Sequence, residues 1–287
     1  KKYRYFFVGK KYFFGYDFYE MFADDALIGS EILGIALTAR NKGENKVPMC
    51  GIPYHSAGTY IAKLTRAGKK VAICEQLSNP SALGIVKRDV IRVITPGTTI
   101  DENILEAKNA NFLGALVSDG KNFGFSFSDL STGEFKVIKL FSLQEVIDQI
   151  GKIRPTEIII EKNLKTNAEF QVIIKYFSKI YFFFVEIEEN LSEISQNHFG
   201  LMEISKTCLK GEKILLEAAG LLLNYLQKTQ KNVLEHLKEI ELVEENNLMN
   251  LDEATIKNLE ILIPASYEDA HSGKMEGSLL GVLDKTV

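Results

Sequence analysis

A chain of 287 residues, 46% hydrophobic and 25% charged, is long enough for two domains and part of a third, each with its own core. No run approaches the ~20 apolar residues of a membrane helix, which excludes a membrane-spanning reading, and Cys50, Cys74 and Cys208 are too few and scattered for a disulfide framework. Net charge is −4, but residues 1–97 carry 15 Lys and Arg against 8 Asp and Glu, so a basic front of +7 joins an acidic back of −11. That asymmetry fits a front that touches a polyanion; a solvated basic face with no partner explains it equally well. Lys69 and Lys70, with Lys87 and Arg88, are the candidate phosphate contacts.

Residues 3–22 read as aromatic strands, with turns at Gly9-Lys10-Lys11 and Gly15-Tyr16. In Asp17-Phe18-Tyr19-Glu20-Met21-Phe22 an extended backbone puts Phe18 and Glu20 on one face and Asp17, Tyr19 and Met21 on the other. Taken alone, this makes Phe18 core and Glu20 a solvated edge charge. Asp24-Asp25 open a helix running to about Leu37 on Leu27, Ile28, Ile32 and Ile35. After a polar loop from Asn41 to Lys46, the segment Val47 to His55 carries Pro48, Gly51 and Pro53 and is predicted to be a shaped connector, not a central strand. A second helix, about Thr59 to Ala67, closes on Gly68 before the strand Val71 to Cys74. The strand Val90 to Ile94 follows, and Thr95-Pro96-Gly97 with the polar run to Asn111 marks a boundary.

The next unit opens with Phe112 to Val117, a turn at Ser118 to Lys121, the alternating strand Phe123 to Asp129, a turn at Ser131-Thr132-Gly133 and the strand Glu134 to Ile138. A helix from Leu143 to Ile150 and a strand from Glu157 to Ile160 complete an order that resembles an RNase H-like fold. From Lys210 to about Leu237 the period turns helical, with Ile214, Leu215, Ala218, Leu221, Leu222, Tyr225, Leu226 and Thr229 on a broad stripe suited to a bundle core.

Few residues point to catalysis. Asp129 and Glu134 could begin a nuclease carboxylate cluster holding magnesium, but a two-metal site needs further acids, and Glu157 and Glu161 are only loose candidates. A turn-stabilising Asp129 is the preferred reading. His55 follows Pro53-Tyr54 with no second histidine near it in sequence. The apolar run of Lys1 to Val8 is too short for a secretion signal, and unpaired cysteines fit a reducing, cytosolic setting. A GxxxxGK[ST] phosphate loop is absent, so no nucleotide site, catalytic group or metal ligand is assigned to this chain.

Four stretches carry a resemblance: Asp17 to Phe22 with Asp24-Asp25-Ala26; Pro48-Met49-Cys50-Gly51-Ile52-Pro53-Tyr54-His55; Val71-Ala72-Ile73-Cys74-Glu75-Gln76; and Thr95-Pro96-Gly97-Thr98 with Asp101-Glu102. In that order and spacing they resemble the mismatch-recognition domain of the MutS family of DNA mismatch-repair sensors. Asp129 to Phe135 resembles a turn of the family's connector domain, and Met249 to Glu260 and Ser278 to Val287 resemble segments of its lever and core. The departure is Tyr16, where the family has Gly before the Asp.

The resemblance implies an α/β multidomain chain: a mixed α/β recognition domain at 1–97, a linker at 98–111, an RNase H-like connector at 112–208, and an all-α part of the lever and core domain at 209–287. It implies that Phe18 wedges at a mispair or small loop in double-stranded DNA and that Glu20 hydrogen-bonds the displaced base. It further implies a homodimeric complete protein, a MutL-type partner docking on the connector, no membrane, and a cytoplasmic, nucleoid-associated location. ATP and magnesium belong to an ATPase expected beyond residue 287, so this chain is not expected to be an enzyme. The alternative readings are an RNase H-like metal-dependent nuclease with a basic DNA-binding front, and a non-catalytic protein scaffold.

Overall fold

The protein, seen in a computed structural model, is described at residues 5–13, 16–41, 45–76, 88–98, 110–187, 189–206, 209, 211–230, 234, 236–244, 251–262 and 278–283. It divides into two compact units, Lys1–Leu105 with Tyr225–His236, and Glu106–Asn224 with Leu237–Val287.

The first unit is built on β1 (Tyr5–Phe13), β2 (Tyr16–Phe22), β3 (Thr38–Arg40), β4 (Val47–Pro53), β5 (Lys70–Gln76) and β6 (Arg88–Ile94), ordered β3-β4-β2-β1-β5-β6. Helices α1 (Ala23–Leu33) and α2 (Ala57–Arg66) pack against one face, where Leu33, Ile61 and Leu64 meet Tyr19, Met21, Cys50, Ile52, Val71 and Ile73. Two expectations change here. Strand β1 runs straight through Gly9-Lys10-Lys11, because the ladder with β2 continues there: Gly9 lies opposite Glu20 of β2 and Cys74 of β5, and Lys10 and Lys11 lie opposite Tyr19 and Phe18 of β2. The second expected turn, at Gly15, lies outside the described residues. Helix α1 stops at Leu33, short of Leu37, because Gly34 takes a left-handed φ of 66° and returns its amide to the Ser30 carbonyl.

The larger correction is β4. Its prolines suggested a connector, yet it is a strand between β3 and β2. The register explains how. Pro48 is paired only with Ala39 of β3, and Pro53 only with Phe18 of β2. Each proline therefore stands where the strand has a neighbour on one side, so its missing N–H takes no donor from a two-sided ladder. Past β6, Pro96–Thr98 form a short 3-10 turn, with Thr95 and Thr98 bonded through their hydroxyls at 2.9 Å.

The second unit contains β7 (Phe112–Ser118), β8 (Phe123–Asp129), β9 (Glu134–Leu140), α3 (Leu143–Ile153), β10 (Glu157–Glu161), α4 (Ala168–Tyr176), β11 (Tyr181–Val185), α5 (Leu191–Lys206), the part of α6 (Lys213–Gln230) up to Asn224, β12 (Glu241–Leu242), α7 (Glu253–Asn258) and α8 (Leu279–Leu283). The sheet order is β11-β10-β7-β8-β9-β12: an antiparallel meander of β7, β8 and β9, with β10 and β11 added in parallel beside β7. This is the strand sequence expected of the RNase H-like unit. Its turns are closed by side chains: Asp119 Oδ1 accepts the amides of Lys121 and Asn122 at 2.8 and 2.7 Å. Ser142 caps α3 by accepting the Glu145 amide.

Helices α3 and α4 cover one face, with Val146, Ile150, Phe170 and Ile173 over Phe123, Phe125 and Phe127. The other face is met by α6, where Ser126 Oγ donates to the Ala218 carbonyl at 2.8 Å. The helix that its periodicity assigned to a bundle after residue 208 thus lies, through Asn224, on the second unit's own sheet. Nor is 209–287 wholly helical, since β12 pairs in parallel with β9 through Glu241 and Leu242. Two residues carry no readable alternation. Among the described residues, no helix is long and apolar enough to cross a membrane.

Candidate nucleic-acid interface

Strand β2 sets the geometry. Tyr19 and Met21 are buried in the first unit's core, and Phe18, Glu20 and Phe22 alternate with them as half-buried residues on the opposite face. The pairing that fixes this is the period of two along an extended chain, anchored by two long apolar side chains that cannot both leave the core. Tyr19 is held further by its hydroxyl, which donates to Glu75 Oε1 at 3.1 Å, and by the Tyr54 ring 5.4 Å away. Phe18 and Glu20 are thus presented side by side on a strand whose reverse side is locked.

Cross-strand neighbours complete the surface. Phe18 stands opposite Pro53 of β4 and Lys11 of β1; Glu20 stands opposite Gly51 and Gly9. At the far end of the same face, the Arg40 guanidinium lies 5.6 Å from the centre of the Phe22 ring. Arg40 was missed from the sequence. A strand of three residues gives no alternation to read, and only its pairing with Val47 puts Arg40 on this side.

The predicted phosphate contacts separate. Arg88 is exposed at the start of β6, and Lys69 is half-buried in the turn between α2 and β5. Lys87 lies outside the described residues. Lys70 is a correction: it is only 4% exposed, and its ammonium donates to the Tyr225 hydroxyl at 2.9 Å and sits 4.7 Å from that ring's centre. Val71 and Ile73 face the core, which turns Lys70 to the opposite side of β5, and a tyrosine 155 residues later covers that side. Nothing local to Lys70 announces such a cover. Near Arg88, burial pushes the thiol of the free Cys74 up, with the guanidinium pulling the other way and the Asp89 carboxylate adding to the rise.

The acids weighed in the second unit are taken up by other contacts or lie apart, although Asp129 and Glu134 stand opposite each other in the ladder of β8 and β9. Asp129 is buried and accepts the Asn111 amide at 3.0 Å and the Ser131 amide and hydroxyl at 2.8 and 2.6 Å. It closes the β8–β9 turn. Glu134 pairs with Lys136 at 2.5 Å, Glu157 is fully buried in β10 and Glu161 is half-buried at its end. Among the described residues, no three His, Cys, Asp or Glu side chains are grouped so as to hold a metal ion. His55 is exposed in the short turn after β4.

The same division appears in comparisons with known proteins. The family description of MutS domain I matches residues 12–103, and that of MutS domain II matches residues 111–238. The chain belongs to the MutS family. It is 42% identical over 282 residues to the DNA mismatch repair protein MutS of Alkaliphilus oremlandii, an alignment covering 94% of this chain and 31% of that protein. It is likewise 42% identical to the proteins of that name from Halothermothrix orenii, over 277 residues, and Clostridioides difficile, over 278. These alignments again cover 94% of this chain, and 30% and 28% of the relatives. The chain therefore spans less than a third of the MutS proteins it matches, and corresponds to their N-terminal part. The domain II match runs to residue 238, taking in all of α6.

Proposed function

We propose that this MutS-family chain binds double-stranded DNA at mispairs and small loops through the half-open face of β2. The observation that carries the reading is the placement of Phe18 and Glu20 together on that face while Tyr19 and Met21 lock the other. An aromatic wedge entering the minor groove must unstack a base step, which costs least where pairing is already faulty. A carboxylate near phosphates is repelled unless a base edge donates to it, so Glu20 penalises intact duplex and rewards a displaced base. Arg40, Lys69 and Arg88 supply sequence-independent attraction to the backbone.

We carry the remaining assignments over from the family resemblance as part of the same proposal. ATP hydrolysis with magnesium belongs to the part of the relatives that this chain does not span, a MutL-type partner docks on the second unit, and the complete protein is a homodimer working on cytoplasmic, nucleoid DNA. Binding to a matched duplex and to one with a single G·T mispair tests the reading. Phe18→Ala, still folded, is expected to lose about 1 to 3 kcal/mol of mismatch affinity and fall toward nonspecific binding. Glu20→Ala is expected to bind matched duplex more tightly while discriminating less. Unchanged discrimination in a folded Phe18→Ala variant sinks the proposal.

A further inference from the structure

A glycine inside a strand weakens it, and nine other glycines of this protein have a reason in the fold. A Cβ added at Gly29, Gly114, Gly124, Gly151 or Gly220 would come within 3.0 Å of a neighbouring atom; at Gly124 the Ile214 carbonyl oxygen of α6 would stand 2.5 Å away. Gly34, Gly120, Gly200 and Gly211 have a positive φ. Gly51 has neither excuse. Its φ lies outside the left-handed region, it is exposed, and a Cβ there would make only ordinary contacts, 3.6 Å to the Tyr19 carbonyl oxygen, 3.9 Å to Phe18 Cδ1 and 4.0 Å to Glu20 Cγ. The fold would accept alanine at this position.

What the glycine keeps open lies between the two residues of the proposed DNA contact. Gly51 is directly across the ladder from Glu20, and Gly9 flanks Glu20 on the other side. Side chains at directly opposite positions normally pack against each other. Here any side chain at 51 would lean on the Phe18 ring and the Glu20 stem together. A base stacked on Phe18 and hydrogen-bonded to Glu20 must pass over this point. We infer that Gly51 is a specificity-determining residue: it holds open the slot through which the edge of a displaced nucleobase reaches Glu20. The inference rests on the proposed Phe18 and Glu20 contact and adds to it the shape that admits the base.

The test uses Gly51→Ala and Gly51→Val beside Phe18→Ala in the complete gene product, with melting temperature and binding to the matched and G·T duplexes measured for each. The Gly51 variants are expected to melt at or above the parent temperature, since both residues suit a strand better than glycine. Affinity for the G·T duplex should fall from Ala to Val, by about tenfold for Val, with matched-duplex binding unchanged. A Gly51→Val protein that keeps the parent ratio overturns the inference, as does one that loses both duplexes equally. If Val prevents folding, Gly51→Ala decides: a lower melting temperature with the ratio intact makes the glycine structural. Should Phe18→Ala abolish discrimination while the Gly51 variants keep it, only this inference falls; should Phe18→Ala keep it too, the underlying reading falls with it.

Discussion

Strands β2 and β8 are both seven residues long and each carries its phenylalanines at positions of one parity, two in β2 and three in β8, yet these phenylalanines have opposite fates. Every residue of β8 is buried, because α3 and α4 lie over Phe123, Phe125 and Phe127 while α6 meets Ser126 on the reverse. In β2 burial alternates, and Phe18, Glu20 and Phe22 stay half-buried beside buried Tyr19 and Met21. An aromatic residue's role is thus decided by what packs over its face. A covered phenylalanine contributes to folding, and a half-open one on a rigid strand is available to a ligand.

Stability separates the two strands most sharply. Phe125→Ala removes a fully buried ring under two helices and is expected to cost about 3 to 5 kcal/mol. Phe18→Ala, on the half-open face, is expected to cost under about 1 kcal/mol. Chemical denaturation of both variants checks this, and equal losses would put Phe18 in the core and end the comparison.

The cations of the first unit sharpen the same contrast at a smaller scale. Lys70→Ala leaves the buried Tyr225 hydroxyl without its 2.9 Å partner and is expected to lose about 1 to 3 kcal/mol of stability with no change in the salt dependence of DNA binding. Arg88→Ala and Arg40→Ala are expected to leave stability intact and lower the salt slope by roughly one unit each. A reduced salt slope in a folded Lys70→Ala variant would place Lys70 on the surface after all.

The smallest effect concerns pH. The amides of Asn122 and Lys121 hold the Asp119 carboxyl below its ordinary value of 3.8. A lowered folded pKa contributes stability that is fully present above 3.8 and is lost as pH falls through the folded value. Asp119→Ala should therefore differ from the parent at neutral pH and converge with it in strong acid. A gap that persists at the lowest pH at which the protein folds would show that the carboxylate is not what closes this turn.

What could be read from the sequence was what is local. The meander β7 to β9, with α3 and β10, follows from alternation, an Asp at one turn, Asp and Ser at the next, and a Ser cap, all within a few residues of the elements they bound. The shared face of Phe18 and Glu20 was legible for the same reason: parity along a strand needs no partner. What escaped depends on distant chain. Pro48 and Pro53 fit a strand only because each is paired on one side, Lys70 is buried by Tyr225, and α6 reads as a helix without saying that Ser126 awaits it.

Membership of Tyr225–His236 in the first unit bears on the order of synthesis. Tyr225 takes the Lys70 ammonium, and Gln230 Nε2 donates to the Val93 carbonyl at 3.2 Å. The ribosome adds these residues about 120 positions after Leu105, which at roughly 5 to 20 residues per second is a delay of roughly 6 to 24 seconds. Throughout that interval β5 and β6 exist without their last layer, while the strands of the second unit emerge. The unit that begins the chain is thus closed only after residues 106–224 of the second have been made, and a gene fragment cut after its sixth strand encodes an incomplete body.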